Sequence, residues 1–207
     1  MSLHKEVEKF KTWAAGYPIE GRSGEWECDY SEWGDLHAQV LSFITATPFS
    51  DWTTEQVDDV LYAVARDNEI EHLSEEIAKQ PNLLLELAEA SVGSEERDAK
   101  WQLAVQLGQQ AIYSARSEEI LLKLVNDEDE YVRRRALLSL GANRSAAAIS
   151  LAERAWDTGH EYQRIAALWV IKDCAPAMLS VYVDKAHKDG RQYVVQNAHE
   201  VTRREHR

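Results

Sequence analysis

The side chains best suited to chemistry in this chain are two His-Glu pairs, His160-Glu161 and His199-Glu200, the aspartate Asp157 beside Trp156, and the arginine run Arg133-Arg134-Arg135. Imidazole beside carboxylate is a ligand set for a transition metal. Adjacent guanidiniums suit a phosphate or an acidic partner. Cys28 and Cys174 are the only cysteines, without Cys-x-x-Cys spacing or a nearby second ligand, so they read as reduced thiols and not as a zinc site or a disulfide framework. No Ser-His-Asp or Cys-His arrangement and no glycine-rich phosphate loop is legible. No catalytic residue, metal ligand or cofactor is therefore assigned.

Whether these side chains can converge depends on the elements that carry them. Three stretches of the chain are nearly the same: Tyr131-Val-Arg-Arg-Arg-Ala136, Tyr162-Gln-Arg-Ile-Ala-Ala167 and Tyr193-Val-Val-Gln-Asn-Ala198, with tyrosines 31 residues apart. A fixed period in the range of about 20 to 50 residues marks a solenoid, whose units bury their apolar faces only by stacking on neighbours. In that register His199 aligns with Leu168 on a first helix, whereas His160 aligns with Asp129 in a turn, so the two His-Glu pairs do not meet as symmetric ligands. The three arginines span about 200° of a helix and cannot form one patch alone.

The helical reading is strong from Ser94 onward. Ala99, Leu103 and Leu107 form one i, i+4, i+8 stripe, and Val132, Ala136 and Leu140 form another. Second helices are expected over Glu118–Asn126, Ser145–Trp156 and Pro176–His187, with Gly141, Gly159 and Gly190 ending helices through positive φ. Arg203 to Arg207 reads as a frayed tail or a cap. The first half is less regular. Helices are expected over Leu3–Ala15, Asp35–Ala46, Thr54–Arg66, Ile70–Lys79 and Asn82–Val92, with Thr53 and Gln56 forming a capping box. The aromatic loop 16–34 holds Trp26, Tyr30 and Trp33, and serves either to cap the first exposed face of the stack or to bind. The expected organisation is an acidic N-terminal helical region, 1–93, continuous with repeats over 94–207.

The run from Leu121 to Gly141, with Asp127, Asp129, Val132, Arg133, Ala136, Leu140 and Gly141 in place, resembles the bacterial HEAT-like repeat of the phycobilisome-lyase type. The next unit matches in part, with Arg164, Ala167 and Ile171 present but Gln163 and Lys172 replacing the expected valine and glycine. The resemblance covers residues 94 to about 200, as about three units plus a terminal helix. It implies an all-α, right-handed α-α superhelix of HEAT-like helical pairs with a less regular N-terminal helical cap, used for protein contacts on a concave face lined by second helices. Arg133 is expected to pair with Asp127 or Asp129 as a structural link between repeats. Two enzymatic relatives of such folds are weighed: deoxyhypusine hydroxylases, which the His-Glu register opposes, and alkylpurine DNA glycosylases, in which Trp101, Trp156, Trp169 and Asp157 would act.

Charge bears on that choice. The formal charge is −13, and all of it lies in the first half: residues 1–93 hold 6 Lys and Arg against 19 Asp and Glu, and residues 94–207 hold 17 against 17. Duplex DNA binding rests on a basic footprint, which this balance does not supply, so nucleic acid is not the expected partner. No apolar run approaches the roughly 20 residues that span a bilayer, and the charged opening Met1-Ser-Leu-His-Lys-Glu lacks the core of a signal peptide. A cytoplasmic bacterial protein that binds another protein without catalysing a reaction is expected, with Lys123, Arg154, Trp156, Tyr182 and Lys185, together with Trp26, Tyr30 and Trp33, as contact residues. The alternative within binding is an acidic immunity or antitoxin protein that blocks a basic toxin through Glu69, Glu71, Glu75 and Glu76 or through the aromatic loop. The alternative in another class is the DNA glycosylase.

Overall fold

The computed structural model describes residues 2–22, 26–109 and 111–203, and the expected tail at Arg204 to Arg207 lies outside them. Among the described residues there are twelve α-helices and no strand, and no helix is long and apolar enough to cross a membrane. The chain divides into two compact units, Met1–Gln106 and Leu107–Arg207.

In the first unit, α1 (Leu3–Gly16) packs against α2 (Trp33–Ala46) and α3 (Thr54–Arg66), followed by α4 (His72–Ala78) and α5 (Pro81–Ser91). The core is aliphatic and aromatic: Val7, Phe10, Leu36, Val40, Val60, Leu61, Leu73, Leu84 and Leu87 are all essentially sealed from solvent. Thr53 and Gln56 form the expected box, each side chain bonded to the other's backbone N–H, which satisfies two of the donors that a helix start leaves open. Pro81 is the first residue of α5, where its missing N–H is harmless. The helix expected from Ile70 starts two residues later, because Glu71 takes a left-handed turn at φ 56° and leaves Ile70 exposed. The middle of α6 (Arg97–Leu107) is tied to α3 by Gln102, whose buried amide donates to the Val64 carbonyl at 2.7 Å.

The described part of the aromatic loop closes onto α1. Trp13 and Trp26 stack at 5.4 Å and 8°, and Tyr30 and Trp33 meet Phe10 at 4.6 and 5.1 Å. The Trp33 indole donates to the Glu27 carbonyl. These rings bury one another, as edge-on and offset aromatic pairs do.

The second unit consists of repeated helical hairpins. First helices α8 (Glu130–Ala142), α10 (Glu161–Cys174) and α12 (Gln192–Thr202) pack side by side, and second helices α7 (Ala115–Leu124), α9 (Ala148–Asp157) and α11 (Leu179–Asp189) alternate with them along the chain. Pro176–Met178 is a 3-10 turn, so α11 begins later than the expected Pro176. Gly159 and Gly190 adopt φ 75° as expected, but Gly141 does not end a helix. It lies inside α8, and Arg144 supplies the left-handed residue at φ 52°. The reason for a glycine at 141 is close approach: a Cβ there would fall 2.6 Å from the Val170 Cγ2 of α10. Gly108, 33 residues earlier, meets Ser139 of α8 in the same way. Lys172 holds the third such position, with its ammonium 4.7 Å from the Trp169 ring centre.

Candidate functional site

Each hairpin begins with the same turn. Ser94 Oγ accepts from the N–H of Glu96 at 3.1 Å, Asp127 Oδ1 from Asp129 at 2.9 Å, Thr158 Oγ1 from His160 at 3.2 Å and Asp189 Oδ1 from Arg191 at 3.3 Å. These side-chain acceptors serve as local turns, a role suited to Asp, Ser and Thr. Asp129 then caps α8, accepting from Tyr131 and Val132. Arg133 reaches back to the turn through the carbonyls of Asp127 and Glu128, at 2.8 and 2.7 Å. One repeat later Arg164 does likewise, donating to the Trp156 carbonyl and pairing with Asp189, which Arg191 also holds. The two guanidiniums, Arg191 foremost, keep the Asp189 carboxyl well below the usual carboxylate range against the opposing effect of burial.

The arginine run is divided among three tasks. Arg133 closes the turn; the Arg134 guanidinium sits between the Tyr131 and Tyr162 rings at 4.5 and 4.7 Å; and Arg135 lies 5.8 Å from Tyr131. Two of the tyrosines that reveal the period, Tyr131 and Tyr162, therefore hold a cation between successive first helices. Gln163, in the place of valine, is buried and donates to the Glu130 carbonyl and carboxylate at 3.1 Å. His160 sits 3.7 Å from Glu130, while His199 packs against His187 on α11 at 5.2 Å, so the two His-Glu pairs stand in different settings.

Of the expected contact residues, Lys123, Arg154 and Lys185 are exposed. They occupy α7, α9 and α11 at intervals of 31 residues, one cation on the equivalent position of each second helix. Lys185 lies 4.3 Å from the Tyr182 ring centre. Trp156 and Tyr182 belong instead to packing. They meet edge to face at 5.2 Å and 87° and are only 5% and 3% exposed, because they fill the seam between α9 and α11. Tyr30 is similarly withdrawn, at 5%, whereas Trp26 and Trp33 are half-buried. Trp101 is buried against Asp98, and neither it nor Trp156 offers an open ring face.

Beside the row of cations, a hollow of about 430 Å³ opens between α7 and α9. Val125, Leu137, Leu151 and Ala155 supply apolar walls, and Arg133, Arg154 and Asn126 supply the polar groups. The 31-residue spacing of the cations was present in the sequence, and the hollow was not. It depends on how far the ends of α7 and α9 diverge.

Repeated two-helix units packed in series define an all-α helical-repeat protein. Residues 83–172 match the family model described as HEAT repeats, so the chain is HEAT-like over that stretch. No curated protein and no solved structure matches it.

Proposed function

We propose that this chain is a non-enzymatic protein-binding module whose contact face is formed by α7, α9 and α11, and that its partner presents an acidic segment. The observation that carries this reading is the row Lys123, Arg154 and Lys185, one exposed cation per hairpin, whose middle member Arg154 lines the apolar-walled hollow. Packed helices lie about 8–10 Å apart, and an extended chain rises about 3.3 Å per residue. An extended partner with a carboxylate at every third residue would thus meet the row in register, with an apolar side chain in the hollow. Arginine at the edge of a pocket is a common hot-spot residue. HEAT repeats are in general protein-interaction scaffolds, which is consistent with this use. Burial of Trp101 and Trp156, together with the neutral balance of residues 94–207, favours this reading over base-stacking chemistry.

The test is a synthetic peptide with Glu at positions i, i+3 and i+6 around one leucine, measured by fluorescence anisotropy against the intact protein. Binding should weaken about tenfold with Arg154→Glu and fall with rising salt. Binding unchanged by Arg154→Glu and by Lys185→Glu refutes the assignment of this face. Photo-crosslinking from position 154 in the native host then identifies the partner.

A further inference from the structure

Ile70 stands in the turn between α3 and α4 and is 69% exposed, an unusual place for a large aliphatic side chain. Single apolar residues on a surface are ordinary, but this one is held out by a built turn. The N–H of Glu71 donates to the Asp67 carbonyl at 2.9 Å, the N–H of Leu73 donates to Asp67 Oδ2 at 2.7 Å, and Ser74 Oγ donates to the Glu71 carbonyl at 2.9 Å. Asp67 is buried, so the turn is anchored in the core of the first unit, and Glu71 completes the reversal at φ 56°. Glu69 is exposed on one side of Ile70, and Glu71 lies on the other. The tip is thus an isoleucine between two carboxylates, fixed before it meets anything. A fixed element loses little entropy on binding.

The second unit carries the complement. The hollow between α7 and α9 has walls of Val125, Leu137, Leu151 and Ala155, and Arg154, the middle cation of the row, lines it. An apolar tip flanked by carboxylates matches an apolar hollow edged by cations. Of the exposed large hydrophobic side chains among the described residues, Ile19, Ile70, Tyr162, Val181 and Tyr193, only Ile70 has a carboxylate on each side. Net charge then decides how two copies can meet. Residues 1–93 hold 6 Lys and Arg against 19 Asp and Glu, a net of −13, and residues 94–207 hold 17 against 17, a net of zero. Joining two N-terminal parts sets −13 against −13, whereas an N-terminal part against a C-terminal part sets −13 against zero and removes most of the repulsion.

We infer that the acidic segment taken by the face of α7, α9 and α11 is the Glu69-Ile70-Glu71 turn of a second copy of this chain, with Ile70 in the hollow and the two glutamates against Arg154 and its neighbours in the row. This rests on the contact face proposed above and names its occupant. Tip and hollow belong to different units, so the contact is head-to-tail. Each added copy brings a further tip and a further hollow, and assembly closes as a ring or continues as an open chain. One turn covers less surface than the roughly 1,200 Å² of a stable complex, so the contact is weak and reversible, with a dissociation constant on the order of 100 μM.

Sedimentation velocity of the intact protein from about 10 μM to about 1 mM, in about 0.15 M salt where repulsion beyond about 8 Å is screened, tests this. The sedimentation coefficient should rise with concentration. Ile70→Ser and Arg154→Glu should each weaken association about tenfold with the circular dichroism spectrum unchanged, and Ile19→Ser should leave it unaltered. The decisive sample is an equimolar mixture of Ile70→Ser and Arg154→Glu. The first supplies an intact hollow and the second an intact tip, so the mixture should form a one-to-one dimer and stop there, at concentrations where each variant alone is monomeric. A sedimentation coefficient independent of concentration, or a mixture that does not complement, overturns the inference. If the three-glutamate peptide still binds in an Arg154-dependent way, the contact face stands and only its occupant is refuted; if that binding is also absent, both fall.

Discussion

Gly141→Ala sets two well-known effects against each other, and the structure decides between them. Replacing an interior helical glycine with alanine ordinarily stabilises a helix by about 1 kcal/mol. Here the new methyl would fall 2.6 Å from Val170 Cγ2, 3.2 Å from Cγ1 and 3.3 Å from Cβ. Val170 is buried at 2% exposure and β-branched, so it has little rotamer freedom with which to yield. Restoring van der Waals contact requires α8 and α10 to part by about 1 Å, and overpacking of that kind costs about 3 kcal/mol at the upper end of the usual range. The net expectation is a loss of about 2 kcal/mol, or about 4–8 °C in melting temperature for a chain of this length. Val170→Ala alone should also destabilise, by about 2 kcal/mol, through lost burial and a small cavity. In the double variant the alanine methyl fills the space left by valine, giving a favourable coupling of about 2 kcal/mol. Urea unfolding followed by circular dichroism and tryptophan fluorescence yields all four corners of the cycle. A stabilised Gly141→Ala protein, or additive free energies, would refute the close-approach account.

Other consequences are quickly stated. Because the Asp189 pKa is depressed on folding, its contribution is fully present above about pH 4, the unfolded carboxylate range, and is lost as pH falls through the folded value; acid titration of stability should flatten in that window for Asp189→Asn. His4 behaves oppositely. Its hydrogen bond to Asp59 raises its pKa above 6.5, so the stabilisation is complete below pH 6.5 and disappears as pH rises through the folded value, which proton NMR of the imidazole would follow and His4→Gln would abolish. Thr53→Ala removes one side of the capping box on α3 and should cost about 1 kcal/mol in chemical unfolding, with no change in the m-value.

The repeated half was legible because its signals are local. Tyrosine spacing, the alanines at 136 and 167 and the Asp127, Asp129 and Arg133 pattern each act within one turn or one seam. Gly141 was misread because a glycine near a helix end satisfies two different demands, and only the position of Val170 shows which one operates. Trp156 and Tyr182 were assigned to the surface for a related reason: an aromatic beside charged residues has the same appearance whether its ring faces solvent or a neighbouring helix. The left-handed residues Glu71 and Arg144 carry no sequence mark, since neither type favours positive φ. The approach of Glu6 to Glu32 and Asp35 stayed hidden because Glu6 and Glu32 are separated by 26 residues of chain and meet only when α1 and α2 pack. Nothing in the local spacing distinguishes them from the other acids of that half.

The recurring turn at Asp127, Thr158 and Asp189 closes over two residues with its own hydroxyl or carboxylate as the pin. Each hairpin therefore carries its own hinge, and a copied 31-residue segment would arrive with the bend already built in. Lengthening the array by tandem duplication then demands no new junction, and every added copy would extend the row begun by Lys123 by one further rung.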